Sequence, residues 1–120
     1  MKKLSLLLIA TIGMICMVGC TKNPDTTNTT WTGNLDTFAQ CLTKAGVKMY
    51  GTATCSHCIK QKALFGESFK YVTYVDCIVS PTMCSNVAAI PTRFFTDGTT
   101  LQGEQSLAAL AAKSGCPLVE

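Results

Sequence analysis

The chain has 120 residues, a net charge of +3, 14% charged residues and eight cysteines. This length suits one small domain. The small net charge, with no basic run and no patch of basic and aromatic side chains, argues against a nucleic-acid partner. Cysteine is the unusual feature of the composition, so the arrangement of the cysteines has to decide between a metal site, structural disulfides and a redox site.

The first residues have the pattern of an export signal. Lys2 and Lys3 precede an uncharged apolar run that ends at Cys20. This run is short for a membrane span of about 20 residues and fits a secretory signal better. Its end, Met17-Val18-Gly19-Cys20, resembles a bacterial lipobox, in which the signal is cut before a cysteine that becomes lipidated. We therefore predict a lipoprotein signal peptide over residues 1–19 and lipidation of Cys20, with an ordinary cleaved signal or an uncleaved N-terminal anchor as the alternatives.

The segment that starts at Cys20 has the composition of a flexible tether. Residues 20–32 are rich in Thr and Asn and contain few apolar side chains, so they cannot bury enough surface to offset the chain entropy of folding. The folded domain is then predicted over residues 33–120. Together these segments predict an exported protein that is lipid-anchored at the periplasmic face of a bacterial membrane.

The domain is predicted to open with a helix and a strand. Apolar side chains recur at helical spacing in "NLDTFAQCLTKAG", with Asn34 or Asp36 as the N-cap and Gly46 as the stop. A short buried strand follows from Val47 to about Thr52.

A second helix and a second strand come next. The helix starts at the cysteine pair in "CSHCIKQKALFG" and ends at Gly66, with Ile59, Ala63 and Leu64 on its apolar side. The strand is β-branched and aromatic and extends from about Lys70 to Asp76.

The second half of the domain is predicted to contain a hairpin and a last helix. One or two helical turns fit around Pro81 to Val87. Asp97-Gly98 between two extended runs is a strong hairpin signal. The last helix has Ser106 as its N-cap and Gly115 as its stop.

This order of elements predicts an α/β fold. Two strands separated by a helix pair in parallel through a right-handed crossover, and the hairpin adds an antiparallel pair. The expected architecture is a mixed, roughly four-stranded sheet with helices on both faces.

A strand that leads directly into Cys55-x-x-Cys58 at the start of a helix has what disulfide exchange requires. Such a dithiol needs a thiolate near neutral pH, a second thiol within bonding reach and access for a protein substrate. Cys55 would lie at the helix N-terminus, where unpaired N–H groups and the helix dipole favour an anion. His57, the only histidine of the chain, can lower the pKa of Cys55 by donating a hydrogen bond or a positive charge. The alternative is an incidental surface histidine.

Several segments together resemble a known family. The stretches "MYGTATCSHCIKQKALFG", "YVTYVDC", "IPT" and "LQGEQSLAALAAKSG" are similar to the thioredoxin-like domain fused to bacterial homologues of vitamin K epoxide reductase, over about residues 35–116. The family's Trp-Cys-Pro-His-Cys active site corresponds to Thr54-Cys55-Ser56-His57-Cys58, so the cysteines and the histidine are kept and the Trp and Pro are absent. The resemblance implies a thioredoxin-like fold and an extracytoplasmic thiol-disulfide oxidoreductase without a cofactor, with Cys55, Cys58 and His57 as catalytic residues.

The resemblance also implies a substrate site and partners. The family carries a cis-proline opposite the cysteine pair, and Pro91 in Ile90-Pro91-Thr92 corresponds to it. A cis bond there would turn the Ile90 backbone toward the cysteines, where a substrate peptide can add as a strand; an ordinary trans turn proline is the alternative. Ile90, Pro91 and Thr92 are therefore predicted to bind substrate. The implied partners are cysteine-containing exported proteins and a membrane redox partner of the vitamin K epoxide reductase type.

Four cysteines of the domain lie outside the pair: Cys41, Cys77, Cys84 and Cys116. Related domains carry a cysteine pair in the loop after the second strand, which implies a structural Cys77–Cys84 disulfide that contributes roughly 2–3 kcal/mol. Cys41 and Cys116 are then left, and pairing them would close most of the domain and contribute roughly 4 kcal/mol. A second dithiol that relays electrons is the alternative.

Other functions compete with disulfide exchange. Cys55, Cys58, Cys77 and Cys84 would supply four zinc ligands, but the second pair is spaced more widely than zinc ligands usually are, and no metal is predicted. Haem attachment fails because Ile59, and not histidine, follows Cys58. A lipid-anchored binding module with an inert cysteine pair stays open, because the Trp and Pro are missing. Within the enzyme class, His57 favours an oxidase over a reductase or isomerase.

Overall fold

The computed structural model describes residues 34–119. The predicted signal peptide over residues 1–19, the lipidated Cys20 and the tether over residues 20–32 lie outside the described residues. Within residues 34–119, no helix has the length and apolar character needed to cross a membrane.

The described residues contain three α-helices, four strands and two short 3₁₀ helices. In chain order they are α1 (Asp36–Lys44), β1 (Lys48–Gly51), α2 (Ser56–Ala63), a 3₁₀ helix (Gly66–Tyr71), β2 (Thr73–Asp76), a second 3₁₀ helix (Pro81–Cys84), β3 (Thr92–Phe94), β4 (Thr100–Gln102) and α3 (Leu107–Ser114).

The four strands form one mixed sheet in the order β2-β1-β3-β4. β1 pairs in parallel with β2 and antiparallel with β3, and β3 pairs antiparallel with β4. The chain turns between β3 and β4 at Asp97-Gly98, where Gly98 has a φ of 80°, so the hairpin prediction is confirmed. The α/β fold class is confirmed as well, and the mixed sheet with its helices is compatible with a thioredoxin-like fold.

One apolar core packs α1 and α3 together with residues that flank the strands. Leu42 of α1 and Leu110 of α3 have no exposed surface, and burying side chains of this size contributes about 1.5–3 kcal/mol each. A disulfide between Cys41 and Cys116 joins α1 to the residues that follow α3. The other buried members of the core are Leu35, Phe38, Ala39, Val47, Phe65, Phe95 and Leu107.

The ends of α3 and the start of α1 follow the sequence signals, whereas α2 ends at Ala63, before the predicted stop at Gly66. The Ser106 hydroxyl accepts a hydrogen bond from the Ala109 N–H at 3.1 Å, and α3 ends at Gly115, which has a φ of 73° that favours glycine. At α1 the N-cap is Leu35, one residue away from both predicted candidates. The Asn34 side chain still accepts the Asp36 N–H at 2.8 Å.

The predicted start of the second strand is wrong by three residues. Residues Gly66–Tyr71 form a 3₁₀ helix, and β2 begins only at Thr73. The Ser68 hydroxyl donates to the Asp36 carboxylate at 2.6 Å, which fastens this turn to α1. Strand propensity depends on context, and here contacts with α1 decide the conformation.

The predicted apolar side of α2 is also wrong in part. Ile59 is 53% exposed and Ala63 is exposed, whereas Cys58 and Gln61 are buried. Burial of the Gln61 amide is tolerated because its nitrogen donates to the Gln105 carbonyl at 3.0 Å and its oxygen accepts the Gln105 N–H at 2.5 Å. These two hydrogen bonds orient α2 so that Cys58 faces the interior.

Candidate active site at the start of helix α2

The C-terminal end of β1 leads directly into the cysteine pair. β1 lies between β2 and β3 in the sheet, and α2 follows it with Cys55 as its N-cap. The Cys55 sulfur accepts a hydrogen bond from the Cys58 backbone N–H at 3.2 Å. Since the first N–H groups of a helix have no partner within the helix and carry partial positive charge, the Cys55 sulfur lies where a thiolate is stabilised.

The two thiols differ in exposure. Both are free, Cys55 is partly exposed and Cys58 is buried. A disulfide on another molecule can therefore reach Cys55, while Cys58 can react only with a sulfur already held at Cys55. Disulfide exchange uses these two positions for the attacking and the resolving thiol.

The two thiols also differ in acidity. The hydrogen bond from the Cys58 thiol is the main cause that lowers the pKa of Cys55, and the backbone N–H groups of Cys58 and His57 act in the same direction. Partial burial and the Glu104 carboxylate oppose this effect. Burial, followed by the hydrogen bond with Cys55, raises the pKa of Cys58 to about 11. Cys55 is thus the thiol that ionises first.

Gly51 leaves the space that Cys58 occupies. A Cβ atom at residue 51 would lie 2.8 Å from the Cys58 sulfur and 3.2 Å from the Tyr74 hydroxyl oxygen. Both distances are below normal van der Waals contact, so a side chain here would displace the resolving thiol. Gly51 was not predicted from the sequence as a site residue, although a glycine inside a strand often marks the close approach of another group.

The His57 ring contacts a residue from a distant loop. His57 Nδ1 lies 2.5 Å from Glu104 Oε1, and the two side chains are 65% and 39% exposed. Glu104 follows β4, and no local sequence pattern predicts its contact with His57, because 47 residues separate the two. Glu104 also acts on Cys55, since its charge raises the pKa of that thiol.

Pro91 lies at the same end of the sheet as the cysteine pair. Tyr50 of β1 pairs with Thr92 of β3, which places Pro91 beside the end of β1, and the Ile90–Pro91 bond is cis. The Pro91 carbonyl accepts the Gly103 N–H at 2.7 Å, and the Thr92 hydroxyl donates to the Ala89 carbonyl. In the described part of the chain, the Ile90 N–H and carbonyl form no hydrogen bond with other backbone groups.

The other four cysteines among residues 34–119 form two disulfides, Cys77–Cys84 and Cys41–Cys116. The first closes the loop after β2, and the Cys77 N–H donates to the Gly51 carbonyl at 2.8 Å, so this loop is attached to the site. Because Cys77 and Cys84 are bonded to each other, they are not available as thiolate ligands. Among residues 34–119, no group of three or more His, Cys, Asp or Glu side chains is arranged to hold a metal ion.

Fold and site together define a class of protein: a mixed α/β domain, compatible with the thioredoxin-like fold, with a reactive and a buried thiol at the start of a helix. No family model matches the chain. The chain is similar to the thiol-disulfide oxidoreductase LTO1 of Arabidopsis thaliana, with 36% identity over 92 residues. The match covers 68% of this chain and 24% of that relative, so the chain spans about a quarter of the relative's length. This similarity and the two free thiols support thiol-disulfide oxidoreductase chemistry at a general level.

The acidity of Cys55 is testable by alkylation. We expect the rate of Cys55 carbamidomethylation, followed by mass spectrometry, to rise with pH and to level off with a midpoint below about 8.5, the value of an ordinary thiol. The rate rises with pH because the thiolate is the form that reacts, and it is present above the lowered pKa of Cys55 and lost below it. In Cys58→Ala the midpoint should move up, since the largest stabilising hydrogen bond is removed. A midpoint at the ordinary value in both proteins would contradict this electrostatic account.

Proposed function

We propose that this chain is a protein thiol-disulfide oxidoreductase that acts outside the cytoplasm through the Cys55–Cys58 dithiol and its disulfide. One observation carries the proposal: a partly exposed thiol of lowered pKa at a helix N-terminus is followed one turn later by a buried thiol. The similarity to a thiol-disulfide oxidoreductase supports the same chemistry. Cysteine-containing exported proteins are the proposed substrates.

In the oxidase direction, a substrate thiolate attacks the Cys55 sulfur of the Cys55–Cys58 disulfide. The bond between the two cysteines breaks, its electron pair goes to Cys58, and Cys58 takes up a proton. A second substrate thiolate then attacks the substrate sulfur of the mixed disulfide, and Cys55 leaves as a thiolate. Two electrons pass from the substrate dithiol to the protein, and the substrate gains a disulfide.

We favour the oxidase direction over the reverse. Hydrogen bonds to a Cys55 thiolate stabilise the reduced protein, which makes its disulfide a stronger oxidant, and a thiol of low pKa is the better leaving group. His57 contributes its backbone N–H to the Cys55 sulfur, and a protonated imidazole would add positive charge close by. Glu104 acts in the opposite sense, so the His57–Glu104 pair is proposed to set how oxidising the site is.

Ile90, Pro91 and Thr92 are proposed to bind the substrate peptide. Pro91 lies beside the end of β1, and the Ile90 N–H and carbonyl form no backbone hydrogen bond in the described residues. An extended peptide that adds as a strand would satisfy these two groups. This would hold the substrate sulfur next to Cys55.

The cellular setting is proposed from the sequence. The N-terminal segment supports export and lipidation of Cys20, which would hold the domain at the periplasmic face of a bacterial membrane on the tether over residues 20–32. A membrane redox partner of the vitamin K epoxide reductase type would reoxidise the Cys55–Cys58 pair there.

The reduction potential of the Cys55–Cys58 pair tests the direction. We expect the purified protein, equilibrated in glutathione buffers and analysed by thiol alkylation, to have a potential nearer to about −120 mV than to about −270 mV. A value near about −270 mV, that of thioredoxin, would instead support a reductase. A pair that stays unreactive in every buffer, in a protein that does not catalyse insulin reduction, would overturn the proposal in favour of a redox-inert binding module.

A further inference from the structure

The Tyr74 hydroxyl is a buried polar group without a hydrogen-bond partner among the described residues. Buried hydroxyls are nearly always hydrogen-bonded, and an unpaired one costs about 1–3 kcal/mol. In residues 34–119 the only other side chain with such atoms is Arg93. Its guanidinium group has a weak contact with the Met49 sulfur at 3.6 Å and lies 5.6 Å from the centre of the Phe65 ring. The Tyr74 hydroxyl differs from Arg93 because it lies close to the Cys58 sulfur.

The Tyr74 hydroxyl and the Cys58 sulfur border the same small space above Gly51. Tyr74 of β2 pairs with Met49 of β1, and Gly51 lies two residues further along β1, on the same face of the sheet. The space above Gly51 is bounded on one side by the Cys58 sulfur and on another by the Tyr74 oxygen. Both atoms lie within 3.2 Å of the point that a Gly51 Cβ would occupy, although no hydrogen bond joins them in the described structure. A donor without a partner is therefore close to the buried thiol that must carry negative charge during the reaction.

Lys62 of α2 completes this arrangement. Its ammonium group lies 3.7 Å from the centre of the Tyr74 ring, and its positive charge favours the thiolate form of Cys58. Burial, with the nearby Asp76 and the two thiols, raises the pKa of Tyr74 to about 12, so its hydroxyl keeps its proton at neutral pH. Tyr74 is therefore a hydrogen-bond donor that a change of pH in the physiological range does not remove.

We propose that Tyr74, with Lys62 against its ring, donates a hydrogen bond to the Cys58 thiolate during disulfide exchange. The inference rests on the proposed function and assigns to one residue the stabilisation of the buried thiolate. In the reduced protein the Cys58 thiol is hydrogen-bonded to the Cys55 sulfur. Once Cys55 is bound to a substrate sulfur, its negative charge is gone. The Thr52 N–H and the Tyr74 hydroxyl then remain as donors close to a Cys58 thiolate.

Oxidation and reduction of a substrate use the same exchange between sulfur atoms, in opposite directions. When the protein disulfide is opened, Cys58 leaves with the electron pair of the broken S–S bond and takes its proton from solvent after the Tyr74 hydroxyl has stabilised it. When the protein reduces a substrate, Cys58 loses its proton to solvent and attacks Cys55 in the mixed disulfide. The Cys55–Cys58 bond forms, the Cys55–substrate bond breaks, and the substrate sulfur leaves with the electron pair. Tyr74 keeps its own proton throughout.

Ellman's reagent separates the two thiols by time. The full chain carrying Cys16→Ser and Cys20→Ser, in which Cys55 and Cys58 are the thiols outside the two disulfides, is treated with a small excess of mild reductant. The reductant is removed, the protein is mixed with the reagent, and thionitrobenzoate release is followed at neutral pH. Attack by Cys55 releases the first equivalent, and attack by Cys58 on the mixed disulfide releases the second. We expect Tyr74→Phe to slow the second release by about tenfold or more, because a hydrogen bond to a charged group is lost. The first release should stay unchanged.

Tyr50→Phe is the matched control, because Tyr50 alternates with Gly51 on the opposite face of β1 and packs against Phe94. It should leave both releases unchanged.

Thermal unfolding of the oxidised protein gives a second readout. Tyr74→Phe should keep or raise the midpoint of unfolding, since it removes an unpaired buried hydroxyl, whereas a purely structural role of Tyr74 would mean a lower midpoint in the variant. An unchanged second release, or an equal slowing of both releases, in Tyr74→Phe overturns the inference. A wild-type protein that never gives the second equivalent overturns the proposed function along with it.

Discussion

Replacing Cys55 with serine is expected to lower disulfide exchange by more than about 10³-fold, the scale on which enzymes lose activity when a nucleophile is removed. Serine forms no disulfide and is not ionised near neutral pH. Cys58 cannot take over, because it has no exposed surface and its raised pKa of about 11 keeps it protonated. Insulin reduction by dithiothreitol, followed as turbidity, measures this loss directly.

The matched variant is Cys58→Ser, which should separate the two roles. Cys55 keeps its place at the start of α2, so it should still attack a disulfide, but no thiol remains to release the product. We expect mass spectrometry to find a stable mixed disulfide at Cys55. If Cys55→Ser keeps substantial activity while Cys58→Ser loses it without trapping a substrate, the assignment of attacking and resolving thiols is wrong.

Outside the site, removing the Cys41–Cys116 disulfide is expected to lower the free energy of unfolding more than any other change. The two cysteines are 75 residues apart, and in the chain-entropy model a loop of that size stabilises the fold by about 4.5 kcal/mol. The Cys77–Cys84 bridge has a sequence separation of 7, for which the same model gives about 2.4 kcal/mol. For a small domain of marginal stability, the larger loss removes a large part of the free energy of unfolding.

Urea unfolding of two double variants compares the bridges. Cys41→Ala with Cys116→Ala should have the lower free energy of unfolding, and its folded fraction should keep normal exchange kinetics, because α1 carries no residue of the site. Cys77→Ala with Cys84→Ala should lose less stability but change the kinetics more, since the Cys77 N–H is bonded to the Gly51 carbonyl. A larger loss of stability in the second variant would contradict the ranking.

Local signals predicted much of the fold. The Asp97-Gly98 turn, the Ser106 N-cap and the Gly115 stop are found where the sequence places them, because each depends on a few adjacent residues. The start of β2 and the buried side of α2 were predicted less well. Both depend on hydrogen bonds to distant residues, from Ser68 to Asp36 and between Gln61 and Gln105, and no local pattern contains such partners.

The sequence by itself determined the α/β order of the domain and the position of a cysteine pair at the start of a helix, because periodicity, caps and spacing are local properties of the chain. Only the tertiary structure decided how the pair is surrounded. It brought Glu104 to His57, Gly51 and Tyr74 to Cys58, and Cys41 to Cys116. These groups come from separate strands and loops. Their effects on thiol acidity and on stability act through space, so these effects exist only once the sheet and its helices have assembled.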